Sequence, residues 1–283
     1  MGFSVRSGTD RHLVLVFAIR TGNPETGNEE PQMVYPPGQG KSGQHLMKLW
    51  RDYLEGYADK DGDVEGQTIV AAYQTVEALT AFSRTLDRDM RYRALIDERV
   101  SYFREGSRRA GNFVDCLITA TFSIYNCLNT LSHQFTEGNA QASALIGKVD
   151  EQVHLSVEAG GEVERPAAAM RSCFPLLGLL TITLDQDQVM TPAIRQVEQR
   201  FAVGARQASS DWEHLLNALY RVVEMMQIMA LLTDRELKDQ INQIASRFKE
   251  EAQAKGLRLK MRNGFCRLFE LGHLLATQVD ALV

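Results

Sequence analysis

Apolar residues recur at three- and four-residue spacing from Gln44 to the end of the chain, a period that predicts one amphipathic helix after another. The first is expected over 44–58, where Leu46, Leu49, Trp50, Tyr53, Leu54 and Tyr57 share a face. The second runs over 67–105 without Gly or Pro, through Ile69, Tyr73, Val76, Leu79, Leu86 and Met90, with a break expected near Asp87–Arg91. From Asp87 onward acids and arginines interleave densely, which suits an exposed, ion-paired stretch. A third helix over 112–137 buries Leu117, Ile124, Leu128, Leu131 and Phe135. Its other side carries Asp115, Thr119, Asn126, Asn129 and His133, a polar stripe that can face water or a partner helix. A fourth over 140–158 uses Leu145, Ile146, Val149 and Val153.

Punctuation sets the rest. Gly160-Gly161 ends the fourth helix and Pro166 opens the next element. Cys173–Leu184 (CFPLLGLLTITL) reads as a short buried helix, with a strand over Thr181–Leu184 as the alternative. Thr191-Pro192 is a helix start, and Ser210-x-x-Glu213 and Thr233-x-x-Glu236 both read as capping boxes. Between them Trp212, Leu215, Leu216, Leu219, Val222, Val223, Met226 and Met229 predict the central helix of a bundle. Leu237, Ile241, Ile244 and Phe248 define a helix that stops at Gly256, and the last is expected over 265–281. Ahead of all this, His12–Ile19 reads as a strand, and 21–43 is a Gly- and Pro-rich loop in which Gln32–Tyr35 would complete a small hairpin. The expected fold is therefore mainly α. It is a multi-helix bundle with an N-terminal extension (1–43), a helical subdomain (44–137), a linker or bridging helix (138–165) and a C-terminal bundle (166–283).

Composition narrows the function classes a little. The chain has 283 residues, 44% hydrophobic and 24% charged, as expected of a chain that buries a real core. A net charge of −5 gives no strong field for nucleic acid or membrane, although local basic patches can exist. Cys116, Cys127, Cys173 and Cys266 form no C-x-x-C pair and read as reduced thiols. The HLVLVFAI run has no small-x-small cleavage site behind it, and Arg6 stands where a myristoylation signal needs Ser or Thr. Phe113–Leu131 is long enough to consider as a membrane span, but Asp115, Asn126 and Asn129 within it favour a core helix. A cytoplasmic location is expected.

Three segments carry candidate chemistry. Tyr35-Pro-Pro-Gly-Gln-Gly-Lys-Ser42 resembles the phosphate loop of AAA-type ATPases at Pro36, Pro37, Gly38, Gly40, Lys41 and Ser42. That likeness implies backbone N–H groups around phosphate, Lys41 on the outer phosphates and Ser42 on magnesium. Tyr35 replaces the first Gly, and the competing reading is a flexible linker. Glu151/His154 and Glu270/His273 are Glu-x-x-His units like those of di-iron carboxylate bundles, with Glu236 as a bridging acid. Helix phase, however, points Glu151 and Glu270 toward solvent and the histidines to the boundary. Lys249, Lys255, Arg258, Lys260, Arg262 and Arg267 cluster around the last turn and can meet phosphates or an acidic partner. Arg267 and His273 also resemble the Arg-to-His spacing of HEPN-type ribonucleases, with Leu268 in place of the usual polar residue. Asp59, Asp61 and Asp63 imitate the opening of an EF-hand, but Val64 and Val70 replace its Gly and its bidentate Glu.

No nucleophile–base pair stands out. The leading expectation is a non-enzymatic helical interaction protein (an adaptor, regulator or subunit of an assembly) without a cofactor. Its partner would be another protein or a second copy, with no membrane, and a Met-rich surface (Met225, Met226, Met229) would suit adaptable packing. The alternatives are a nucleic-acid-contacting protein using the 249–267 patch and a nucleotide-binding enzyme using 35–42.

Overall fold

The apolar stripes fold as helices throughout residues 64–279, the part of this computed structural model that is described, and no strand occurs among those residues. The helix expected over 44–58, the N-terminal hairpin, the phosphate-loop segment and the acidic turn at Asp59–Asp63 lie outside them. Nine α-helices follow in order: α1 (Val64–Leu86), α2 (Arg93–Arg109), α3 (Phe113–Phe135), α4 (Ala140–Ala159), α5 (Glu164–Leu184), α6 (Thr191–Gln207), α7 (Asp211–Thr233), α8 (Lys238–Glu251) and α9 (Leu257–Val279).

The break between α1 and α2 falls where the charge run predicts it. Asp87 Oδ1 accepts the Tyr92 backbone N–H at 3.0 Å, and Met90 takes a positive φ of 57° to let the chain turn. Cys173–Leu184 is the second half of α5, continuous through Pro175, so the strand alternative for 181–184 is overturned. Its residues are buried on several sides, and the apolar run carries no strand period. α9 begins at Leu257 rather than Phe265, because Gly256 (φ +100°) makes the turn and Met261 extends the buried stripe. Ser210 caps α7 as expected, accepting the Glu213 N–H at 3.3 Å. The second box does not form: Thr233 Oγ1 donates to the Met229 carbonyl, and Asp234 Oδ1 takes the Glu236 N–H instead. Met225, Met226 and Met229 are core residues, 0%, 0% and 1% exposed, which removes the expected methionine-rich surface.

The structure exposes a repeat in the chain. The α1–α2 turn (LDRDMRY, 86–92) and the α5–α6 turn (LDQDQVM, 184–190) are built alike: Asp185 accepts the Met190 N–H as Asp87 accepts that of Tyr92, and Gln188 matches Met90 with a φ of 56°. Equivalent residues are 98 positions apart, as 87 is from 185, and the spacing holds without a gap. α2 and α6 each have 17 residues, α3 and α7 each have 23, and α4 and α8 start 98 apart. Ile96/Ile194, Phe103/Phe201, Gly106/Gly204, Leu117/Leu215 and Ala120/Ala218 are identical pairs. A Cβ on Gly106 would meet Thr119, and one on Gly204 would meet Asn217, again an equivalent pair. Self-similarity of sequence, caps and helix crossings at one offset marks an internal duplication.

The odd-numbered helices form a closed ring. α1 packs on α3, α3 on α5, α5 on α7, α7 on α9, and α9 returns to α1 in the most extensive contact of all. The even-numbered helices lie outside, α2 on α3, α4 on α5, α6 on α7 and α8 on α9. One continuous hydrophobic cluster draws side chains from all nine. α5 and α7 are long and apolar enough to cross a membrane, but most of each apolar window is buried within this ring, where core helices also belong.

Close crossings need small residues. A Cβ on Gly264 of α9 would lie 2.6 Å from Leu219 Cδ2 and 2.9 Å from its Cγ, and Leu219 is fully buried. Overpacking of this kind costs about 1–3 kcal/mol, whereas Gly-to-Ala in a helix gains roughly 1 kcal/mol of propensity. Gly264→Ala is therefore expected to lower thermal stability. Gly178→Ala on α5, where nothing lies within 4 Å of the new atom, is expected to raise it. Melting curves of the two variants check the pair, and a shift of equal sign in both would contradict the packing argument.

Candidate functional site

α2 and α4 both pack beside α3 with no close backbone approach to one another, and the outer face of α3 between them forms a trough. Its floor is the polar stripe read from the sequence. Arg99 reaches across from α2 and donates to the Asn126 carbonyl, to Thr130 Oγ1 at 2.5 Å and to Asn129 Oδ1 at 2.7 Å. Asn129 passes the network to the Tyr125 hydroxyl (3.4 Å), which donates to Asp150 Oδ1 on α4 at 2.8 Å. His154, one turn further along α4, sits 3.9 Å from the same carboxylate. Aromatic rings continue the trough: Tyr102 lies 5.7 Å from Phe122, and Phe122 lies 5.8 Å from the His154 ring.

Arg99 is the cation of this trough, and Asp150 and Glu98 act on it from beyond contact distance. Arg99 is half-buried, and among the described residues no carboxylate lies within 4 Å of it; its three acceptors are all neutral. Burial pushes its guanidinium below the ordinary value. Nε makes no hydrogen bond among the described residues and is not sealed from solvent. Burial and the nearby Arg99 charge together hold His133 below its ordinary value. The Tyr125 phenol is pushed up by burial and then by its bond to Asp150.

The second repeat shows what the scaffold needs at these places. Val197 replaces Arg99, Val223 replaces Tyr125, Ile228 replaces Thr130 and Phe248 replaces Asp150, and all four are buried. Tyr220, the equivalent of Phe122, packs edge-on against Phe248 at 4.8 Å. Glu224, in place of Asn126, is held by Arg221 at 2.7 Å and by Arg200 at 3.2 Å, while Gln227, in place of Asn129, keeps a buried Nε2 without a hydrogen-bond partner among the described residues. The same helix arrangement thus places apolar side chains at these positions in one copy and a half-buried arginine with no carboxylate within 4 Å in the other.

The residues singled out from the sequence scatter. Gly38, Gly40, Lys41 and Ser42 lie outside the described residues. Lys255 and Arg258 line a cleft of about 800 Å³ with Trp212, but Arg258 is paired with Glu65 at 2.5 Å. Lys249 is exposed on α8, Lys260 is half-buried, and Arg262 is tied to Gln67 and Asn263. Arg267 is 8% exposed and bound to Glu251 and Glu270. Of the metal candidates, Glu151, His154 and Glu236 are exposed. Glu270 is buried, against the phase expected for it, because Arg247 and Arg267 enclose its carboxylate. His273 is held below its ordinary value by burial. Among the described residues no group of three or more His, Cys, Asp or Glu converges as a metal site. Comparison with protein-family models, with curated proteins and with solved structures returns no match. The second repeat is therefore the reference against which the first is read.

Proposed function

We propose that this protein is a non-enzymatic helical interaction module, an adaptor or assembly subunit, that binds another protein along the trough between α2 and α4. The observation that carries the reading is the contrast between Arg99 and Val197: a framework that holds valine in one repeat keeps a half-buried arginine, hydrogen-bonded only to neutral acceptors, in the other. Buried polar groups without a structural need are a mark of binding surfaces, where stability is given up for recognition. Aromatic and arginine side chains together are also the typical anchors of protein interfaces. Four unpaired thiols suit a reducing compartment, and the proposal includes the cytoplasm.

Two measurements test it. Converting Arg99, Tyr125, Thr130 and Asp150 together to the Val, Val, Ile and Phe of the second repeat is expected to give a protein that melts at the same temperature as the parent or higher. A clear loss of stability would make the network structural and remove the main support. A photoreactive residue at Tyr102 is then expected to give a discrete adduct in cells that Arg99→Val abolishes. The same label at the equivalent Arg200 serves as the control. Equal adducts at both positions, or none at 102, count against the trough.

A further inference from the structure

We propose that the cleft between α6 and α7 binds the phosphate group of a small phosphomonoester, with Arg200 and Arg221 as its paired cations. This site lies in the second repeat and is independent of the reading of the trough.

Charge and donor counting carry the argument. The cleft has a volume of about 380 Å³, and both arginines line it. Oε2 of Glu224 accepts from Arg200 Nε at 3.3 Å, from Arg200 Nη2 at 3.2 Å and from Arg221 Nη1 at 2.7 Å. Two guanidinium groups are thus drawn side by side onto one oxygen. Among the described residues no other carboxylate lies within 4 Å of either, so the trio keeps one positive charge in excess. The Arg221 side chain is only 17% exposed, and a cation withdrawn from water gains most from a further anion. Nη1 of Arg200 and Nη2 of Arg221 make no hydrogen bond among the described residues, which leaves one donor group on each of two helices. The other polar side chains that line the cleft are amides, Gln199, Gln207 and Asn217, and among the described residues no acid lines it.

The first repeat makes the same helix crossing without this pair. Tyr102 stands for Arg200, Ser123 for Arg221 and Asn126 for Glu224, while Glu105 stands for Val203 and pairs with Arg109. One cation meets one anion at these positions, so the excess charge is a property of the second repeat and not a requirement of the crossing. A phosphate monoester offers three oxygens to donors arriving from two sides, which suits a pair of arginines. The volume falls at the lower end of small-ligand sites, roughly 300–1,000 Å³, and leaves room for an organic part against Val203. A nucleic-acid backbone needs a row of cations, and two line this cleft.

The test follows the side-chain Nε–Hε signals of Arg200 and Arg221 by NMR in the full chain while glycerol phosphate replaces chloride at constant ionic strength. Saturable shifts of both signals are expected. Arg200→Gln and Val203→Glu, the latter copying Glu105 of the first repeat, should each weaken affinity about tenfold or more. Both positions are exposed, so neither change threatens the fold. Lys249→Gln makes the same change in net charge on α8 and should leave affinity as it is. Shifts that fail to saturate, affinity that survives both cleft variants, or an equal loss in Lys249→Gln would overturn the site. Inorganic phosphate binding as tightly as glycerol phosphate would overturn the ester, and acetate binding as tightly as either would overturn the phosphate.

Discussion

Replacing Glu270 by alanine is expected to remove about 3–5 kcal/mol of stability, the usual consequence of taking one partner from a buried ion network. Glu270 is 7% exposed and accepts from three directions: Arg247 at 3.1 and 3.3 Å, and Arg267 at 2.6 Å. Arg267, itself 8% exposed, also reaches Glu251 at 3.1 Å. Burial raises the Glu251 carboxyl, with Arg267 pulling against it. With Glu270 gone, two guanidinium groups, that of Arg267 buried and that of Arg247 half-buried, would be left with one remaining carboxylate. For a chain of this size each kcal/mol moves the melting temperature by roughly 2–4 °C, so a fall on the order of 10 °C is expected. A second variant separates charge from packing: converting Arg247, Glu251, Arg267 and Glu270 together to Met or Leu should recover most of the loss, since the desolvation cost disappears with the charges. If Glu270→Ala melts within a degree or two of the parent, the network is solvated and contributes little.

That network was read from the sequence as two separate things, a solvent-facing Glu-x-x-His unit and part of a basic patch, and the reason is physical. Helical phase reports the average preference of a stripe, and a charged residue on the buried side looks like an exposed one until its partners are known. Arg247 and Glu251 come from α8, across the Gly256 turn from Arg267 and Glu270. The helices themselves were legible, because Leu, Ile, Val and Phe at three- and four-residue spacing leave few other folds, and the Asn112 and Ser210 starts carry their own capping side chains. The beginning of α9 was missed because Leu257, Leu259 and Met261 are diluted by arginines and lysines. The candidate site left a different trace. Arg99 stands in a run of alternating acids and arginines that resembles a solvated face. What singles it out is the alignment of LDRDMRY with LDQDQVM, which sets Val197 opposite Arg99. That signal lay in the chain all along, but at a separation where helix periodicity says nothing.

The same alignment sets Pro175 opposite Glu77, and Glu77 carries the second large effect: stability that falls as pH rises between about 4.5 and 8. Glu77 is mostly buried on α1. Burial pushes its carboxyl up to about 8, and the Arg104 guanidinium on α2 offsets only part of that. The sign follows from proton counts. Below the unfolded value, near 4.5, both states hold the proton. Between there and 8 the folded chain holds it while the unfolded chain has released it, so each unit of pH costs the folded state about 1.4 kcal/mol from this group. Above 8 both states are ionised and the loss is complete. Glu77→Gln keeps the shape of the side chain without the proton, so its stability should lack this slope. Denaturant melts of the two proteins at pH 5, 6.5 and 8 should therefore start close together and separate steadily, with the glutamine variant ahead by a few kcal/mol at the top of the range. Parallel curves would mean that Arg104 or water compensates the carboxylate fully, and that α1 meets α2 through a charge the fold tolerates rather than a proton it holds.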